Sequence, residues 1–141
     1  TMIRLAACAR SVAYVPKAFY HYVKLNSNAY SATMSERHKE DIRFNVDQTV
    51  EFLQKKFGDS LDKEIAFFKL NTKLPFLITD DETQYDVWKE WWPEANKYIC
   101  ENKHQAFRTR LVQWFAAKGQ FWAVKLYFKV VYKLVYGVIY R

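Results

Sequence analysis

The scarcity of glycine and proline constrains this chain more than any other feature of its sequence. Only three glycines and three prolines occur in 141 residues, and long stretches separate them. Because β-hairpins need chain-reversing residues at short intervals, this spacing favours long helices over many short strands. Half of the residues (50%) are hydrophobic, which is enough to bury a core in a chain of this length. We therefore expect a mainly α fold.

Apolar periodicity and capping residues predict an antiparallel bundle of about five helices, after a short opening helix that ends near Ala9. Ser35 is a good N-cap for the first of the five, and Gly58 ends it. The five are predicted from Glu36 to Phe57, from Ser60 to about Pro75, from Thr79 to about Trp92, from Asn102 to Ala117 and from Gln120 to Tyr140.

The last predicted helix is amphipathic, with lysines and aromatic residues on one side and valines on the other. Twenty residues would span roughly 30 Å, but each central lysine costs about 2.5–3.5 kcal/mol to insert into a bilayer. The helix is therefore expected to lie on a membrane, or to be a helix of the bundle whose lysines face water. The membrane-binding candidates are Lys118, Trp122, Lys125, Lys129, Lys133 and Tyr136.

The charge is unevenly distributed along the chain. Eight basic and no acidic residues lie between 102 and 141, and the whole chain carries a formal charge of +7. This asymmetry predicts an anionic partner such as a membrane surface. No nucleic-acid motif accompanies the charge, so nucleic acid is not expected. Cys8 and Cys100 have no metal-ligand spacing, which favours a reduced, cytoplasmic setting.

Two short segments near the N-terminus are typical of β-strands. Val12–Val15 is rich in β-branched and aromatic residues and is followed by Pro16, and Phe19–Val23 alternates in the same way. A polar run from Asn26 to Ser31 comes next. We expect a short two-stranded β remnant here, which would be marginal without a larger sheet.

The order of these motifs resembles the closing segment of a family 2 glycosyltransferase catalytic domain. The resemblance covers about thirty residues, and it includes Ala9-Arg10 ahead of Val12–Pro16. It implies that residues 1–33 close a GT-A-type domain and that residues 34–141 form a C-terminal helical domain. The acceptor-side candidates that it implies are Tyr20, His21, Tyr22, Lys24, Asn26 and Ser27.

The resemblance also implies a function. The parent enzyme would transfer a nucleotide-activated sugar during surface polysaccharide or glycolipid synthesis, with Mg²⁺ or Mn²⁺ as cofactor. Its catalytic base and metal would belong to an upstream catalytic half of the same polypeptide, ahead of Thr1. This chain is therefore expected to hold no catalytic residue, metal or cofactor and to be inactive alone. Its partners would be that upstream half and an anionic membrane surface or lipid-linked acceptor, at the inner face of the membrane.

Several residues also have simpler interpretations. His21 could be a half-buried edge residue, and Trp88, Trp91 and Trp92 are expected in a helical core rather than on a sugar-stacking platform. Asp80 and Asp81 could bind a metal, but a Thr79-to-Glu82 capping box is favoured. The competing function is a non-catalytic helical module that binds a membrane or a protein.

Overall fold

The computed structural model describes residues 2–17, 35–79 and 81–131. These residues are mainly helical, as predicted, and they contain no β-strand. The α-helices are α1 (Met2–Cys8), α2 (Glu36–Phe57), α3 (Asp62–Lys73), α4 (Gln84–Glu90), α5 (Phe107–Ala117) and α6 (Phe121–Tyr127). Shorter 3₁₀ segments are Gly58–Leu61, Leu74–Leu77 and Pro93–Glu101.

The chain divides into two compact units, Thr1–Ser60 and Leu61–Arg141. The boundary predicted after residue 33 stays a prediction. In the first unit, α2 begins and ends where the sequence predicts, because the Ser35 hydroxyl accepts a hydrogen bond from the His38 N–H at 3.2 Å and Gly58 follows Phe57. Lys56 of α2 donates to the Ala7 carbonyl at 2.7 Å, so a cation sits at the C-terminal end of α1.

The β remnant predicted near the N-terminus is not supported. Residues 11–16 have no regular structure, and Val12 and Tyr14 are 85% and 88% exposed. A strand requires hydrogen bonds to a neighbouring strand, and no described segment supplies them. The second predicted strand, Phe19–Val23, lies outside the described residues.

An aromatic cluster forms much of the core of the second unit. Trp88, Trp91 and Trp92 are 1%, 4% and 8% exposed, which confirms their predicted place in the core. The Phe76 ring meets Trp91 edge-on at 4.9 Å between centroids, and the Trp91 and Trp92 rings are 5.2 Å apart. Such edge-to-face pairs add to the free energy gained by burying their area.

A buried lysine joins the end of α3 to the segment that follows α4. Lys73, at the end of α3, is fully buried, and its ammonium donates to the Trp91 carbonyl at 2.8 Å and to Asn96 Oδ1 at 2.7 Å. Longer contacts reach the carbonyls of Trp88 and Trp92. The ammonium therefore satisfies carbonyls around Trp92, whose φ of 45° is unusual for a residue with a side chain.

Two predicted helices begin or end at other places. The third was expected from Thr79 to about Trp92, but α4 spans only Gln84–Glu90, and the Trp91 carbonyl that follows it accepts from Lys73. The fourth was expected from Asn102, but α5 begins at Phe107. Asn102 is instead fully buried and donates to Asn71 Oδ1 at 3.3 Å, a bond between residues 31 positions apart that ties this position to α3.

Candidate membrane-binding surface

Helix α6 and the π-helical turn that follows it at residues 128–131 expose a row of apolar side chains. Trp122, Leu126 and Val130 follow one another at intervals of four residues and are 68%, 55% and 47% exposed. Because this is the spacing of one helical face, the three side chains share one side of the segment. Val124, on another side, is buried. We call Trp122, Leu126 and Val130 the α6 apolar row.

The contacts of the opposite side of α6 orient this row toward solvent. Phe121 stacks on the buried Tyr85 of α4, with ring centroids 5.3 Å apart and planes at 22°. The Lys89 ammonium lies 4.7 Å from the centre of the Phe121 ring. Gly119 ends α5 with a φ of +73°, and the N–H groups of Gly119 and Gln120 bond back to Ala116 and Phe115, each at 2.9 Å. The turn and the aromatic stack together determine which face of α6 remains exposed.

Exposed lysines flank the α6 apolar row. Lys118 precedes Trp122 by four residues, and Lys129 adjoins Val130; both are exposed, and no carboxylate of the described residues pairs with them. An exposed tryptophan and leucine beside lysines are typical of side chains at a membrane–water interface. The arrangement can place apolar groups below lipid headgroups while ammonium groups contact phosphates.

Lys125 differs from Lys118 and Lys129, the other described lysines among the membrane-binding candidates. Its ammonium donates to the Glu82 carboxylate, and this bond raises the pKa of Lys125. The positive charge is compensated within the protein, so Lys125 adds less to the attraction for an anionic surface than Lys118 or Lys129. The sequence pattern could not show this pairing, since the two residues are 43 positions apart.

The capping box predicted at Thr79–Glu82 is also wrong in detail. Glu82 pairs with Lys125, and Asp81 forms a local turn ahead of α4, where its carboxylate accepts from Thr83 N–H at 3.0 Å and from the Gln84 side-chain Nε2 at 2.8 Å. No described side chain caps the first N–H groups of α4. The Thr79 hydroxyl accepts the Asp81 N–H at 3.1 Å, and in the described part of the chain it bonds to no N–H group of α4. Asp81 therefore has a structural role at this turn, and Asp80 lies outside the described residues. No three His, Cys, Asp or Glu side chains in the described ranges lie close enough together to hold a metal ion.

Of the predicted site residues, the structure brings Lys118, Trp122, Lys125 and Lys129 together along α6 and the turns directly before and after it. Lys133 and Tyr136 lie outside the described residues, as do all the acceptor-side candidates, Tyr20, His21, Tyr22, Lys24, Asn26 and Ser27. Sequence reasoning missed Leu126 and Val130, although their four-residue spacing after Trp122 was a signal for them.

No described helix has the length and apolar character needed to cross a bilayer. Comparison with known proteins finds no matching family, no matching curated protein and no matching solved structure.

Proposed function

We propose that this chain attaches a family 2 glycosyltransferase to an anionic membrane surface and supports the acceptor side of its cleft. The α6 apolar row with Lys118 and Lys129 beside it is the observation that carries the membrane part of this proposal. The transferase part depends on the motif order between Ala9 and Ser31. A lipid-linked acceptor would be held at the same surface, which gives the attachment a purpose.

Two contributions to membrane affinity can be separated. Each lysine near an anionic surface contributes about 1 kcal/mol, and this part is screened by salt. Trp122 and Leu126 contribute by removing apolar area from water, and this part is nearly independent of salt. We therefore expect stronger sedimentation with vesicles containing phosphatidylglycerol than with neutral vesicles, and weaker sedimentation as salt is raised.

Paired variants test which residues are responsible. Lys118→Gln with Lys129→Gln should weaken binding about 30-fold, the equivalent of about 2 kcal/mol. Lys55→Gln with Lys63→Gln has the same net charge but changes exposed lysines that pair with Glu51 and Glu101, and it should bind as the unmodified chain does. Trp122→Ala should weaken binding at any salt concentration, whereas Phe44→Ala, which changes an equally exposed ring on α2, should not. Equal binding by all four variants would contradict the attachment function. So would the absence of binding to both phosphatidylglycerol-containing and neutral vesicles.

The transferase part has its own test. Under the proposal, the nucleotide pocket and the Mg²⁺ or Mn²⁺ site belong to the upstream catalytic half, so this chain alone should bind nucleotide sugars no more tightly than about millimolar. Isothermal titration with uridine and guanosine diphosphate sugars measures this. Micromolar affinity would contradict the assignment of the pocket to another segment.

A stand-alone attachment module is the second candidate function. It is favoured by the absence of any strand from the described residues. The two candidates differ in what the coding region ahead of Thr1 contains, because a transferase requires an αβ half with an Asp-x-Asp motif there.

A further inference from the structure

A second exposed apolar surface lies on α5, away from its buried residues. Phe107, Leu111 and Trp114 are 71%, 40% and 39% exposed and follow one another at the spacing of one helical face. Together with Cys100 and Arg110 they line an open groove of about 310 Å³. We call these five residues the α5 groove. Its volume is at the lower end of the range of small-molecule sites in proteins.

The α5 groove combines an apolar floor with a cation. The Arg110 guanidinium lies 5.9 Å from the centre of the Phe107 ring, and its Nη1 donates to the Cys100 carbonyl at 2.9 Å. Among the described residues, the Arg110 Nε is buried and has no hydrogen-bond partner, so the guanidinium would meet a phosphate through its outer nitrogens. Lys118 lies 5.9 Å from the centre of the Trp114 ring at the other end of the row. A cation is thus present near each end of the apolar row.

We propose that the α5 groove binds an anionic phospholipid of the membrane, with an acyl chain against Leu111 and Trp114 and the phosphate on Arg110. This inference depends on the attachment function proposed above. Charge complementarity selects the occupant, since Arg110 is the charged residue among the five that line the groove and the Lys118 ammonium lies beside Trp114. A guanidinium is well suited to bind a phosphate, because its N–H donors match the phosphate oxygens in geometry.

Tryptophan quenching by bromine tests this placement. In the Trp122→Phe variant, Trp114 is the exposed tryptophan, because Trp88, Trp91 and Trp92 are buried. Vesicles of phosphatidylglycerol mixed with phosphatidylcholine brominated on its acyl chains should quench Trp114 relative to unbrominated vesicles. The Trp114→Phe, Trp122→Phe double variant retains only the buried tryptophans and should show no quenching.

Two further variants examine the groove itself. Leu111→Gln should weaken binding to phosphatidylglycerol vesicles about fivefold, because it removes apolar area that the acyl chain would cover. Arg110→Gln should reduce the preference for phosphatidylglycerol over phosphatidylcholine. Circular dichroism confirms that each variant is folded, and the quenching experiment does not depend on either of them.

The outcomes separate the two proposals. Vesicle binding without quenching of Trp114 would overturn the lipid groove and leave attachment through α6 intact. No vesicle binding at all would overturn both. If Trp114 is unquenched and the chain forms a dimer that Leu111→Gln dissociates in sedimentation equilibrium, the groove binds a second copy of the chain instead.

Discussion

Replacing Lys73 with methionine should change how the stability of the second unit depends on pH. Burial lowers the pKa of Lys73 from the ordinary 10.5 to about 8, because the charged form loses its hydration. The unfolded chain therefore holds this proton more tightly than the folded one at pH values between 8 and 10.5. In that interval the free energy of unfolding rises with pH, because the unfolded chain binds more protons than the folded one. The folded protein holds Lys73 as a neutral amine there, and burying a neutral amine does not remove the hydration of a charge.

The size of the effect follows from the pKa difference. At about 1.4 kcal/mol per pKa unit, the full gain is roughly 3 kcal/mol, of which about 2 kcal/mol is reached between pH 7 and pH 9.5. Lys73→Met has no titrating group and should lack this gain. It also leaves the Trp91 carbonyl and Asn96 Oδ1 without their donor, so it should be less stable than the unmodified chain at pH 9.5 by about 2–4 kcal/mol.

Urea unfolding followed by tryptophan fluorescence measures these differences. All five tryptophans lie between Leu61 and Arg141, so the signal reports the second unit. Lys103→Met, which removes an exposed lysine from the same unit, is the matched control. Parallel stabilities of the unmodified chain and Lys73→Met between pH 7 and pH 9.5 would contradict a lowered pKa for the buried Lys73.

Two local features allow simpler predictions. Ser35→Ala should lower the stability of α2 by about 1 kcal/mol because it removes the hydroxyl that accepts the His38 N–H, whereas Ser35→Asp should retain most of that stability. Thermal melts followed by circular dichroism compare the variants. Equal melting temperatures would refute the cap. Gly119→Ala should destabilise the second unit by about 1 kcal/mol because φ is +73° there; no neighbouring atom obstructs a Cβ, so the cost comes from the backbone conformation alone. Gly119→Asn should cost less. Unchanged urea midpoints for both variants would contradict this prediction.

The helices that the sequence predicts best are those whose ends depend on adjacent residues. Helix α2 begins after Ser35 and ends before Gly58, and a cap needs only residues within one turn. The predictions for α4 and α5 fail where distant residues intervene, because Lys73 binds the carbonyls after α4 and Asn71 binds Asn102 ahead of α5. Such contacts leave no periodic signal along the chain.

The sequence by itself determines that this chain is mainly helical, that its net positive charge lies after residue 101 and that α6 is amphipathic. Periodicity and net charge are properties of neighbouring residues, so they can be read without a fold. Only the tertiary structure decides that Lys73 is buried, that Lys125 is compensated by Glu82 and that Trp122, Leu126 and Val130 face solvent. These facts depend on which residues α4 brings against α3 and α6, and those contacts join positions that are more than ten residues apart in the chain.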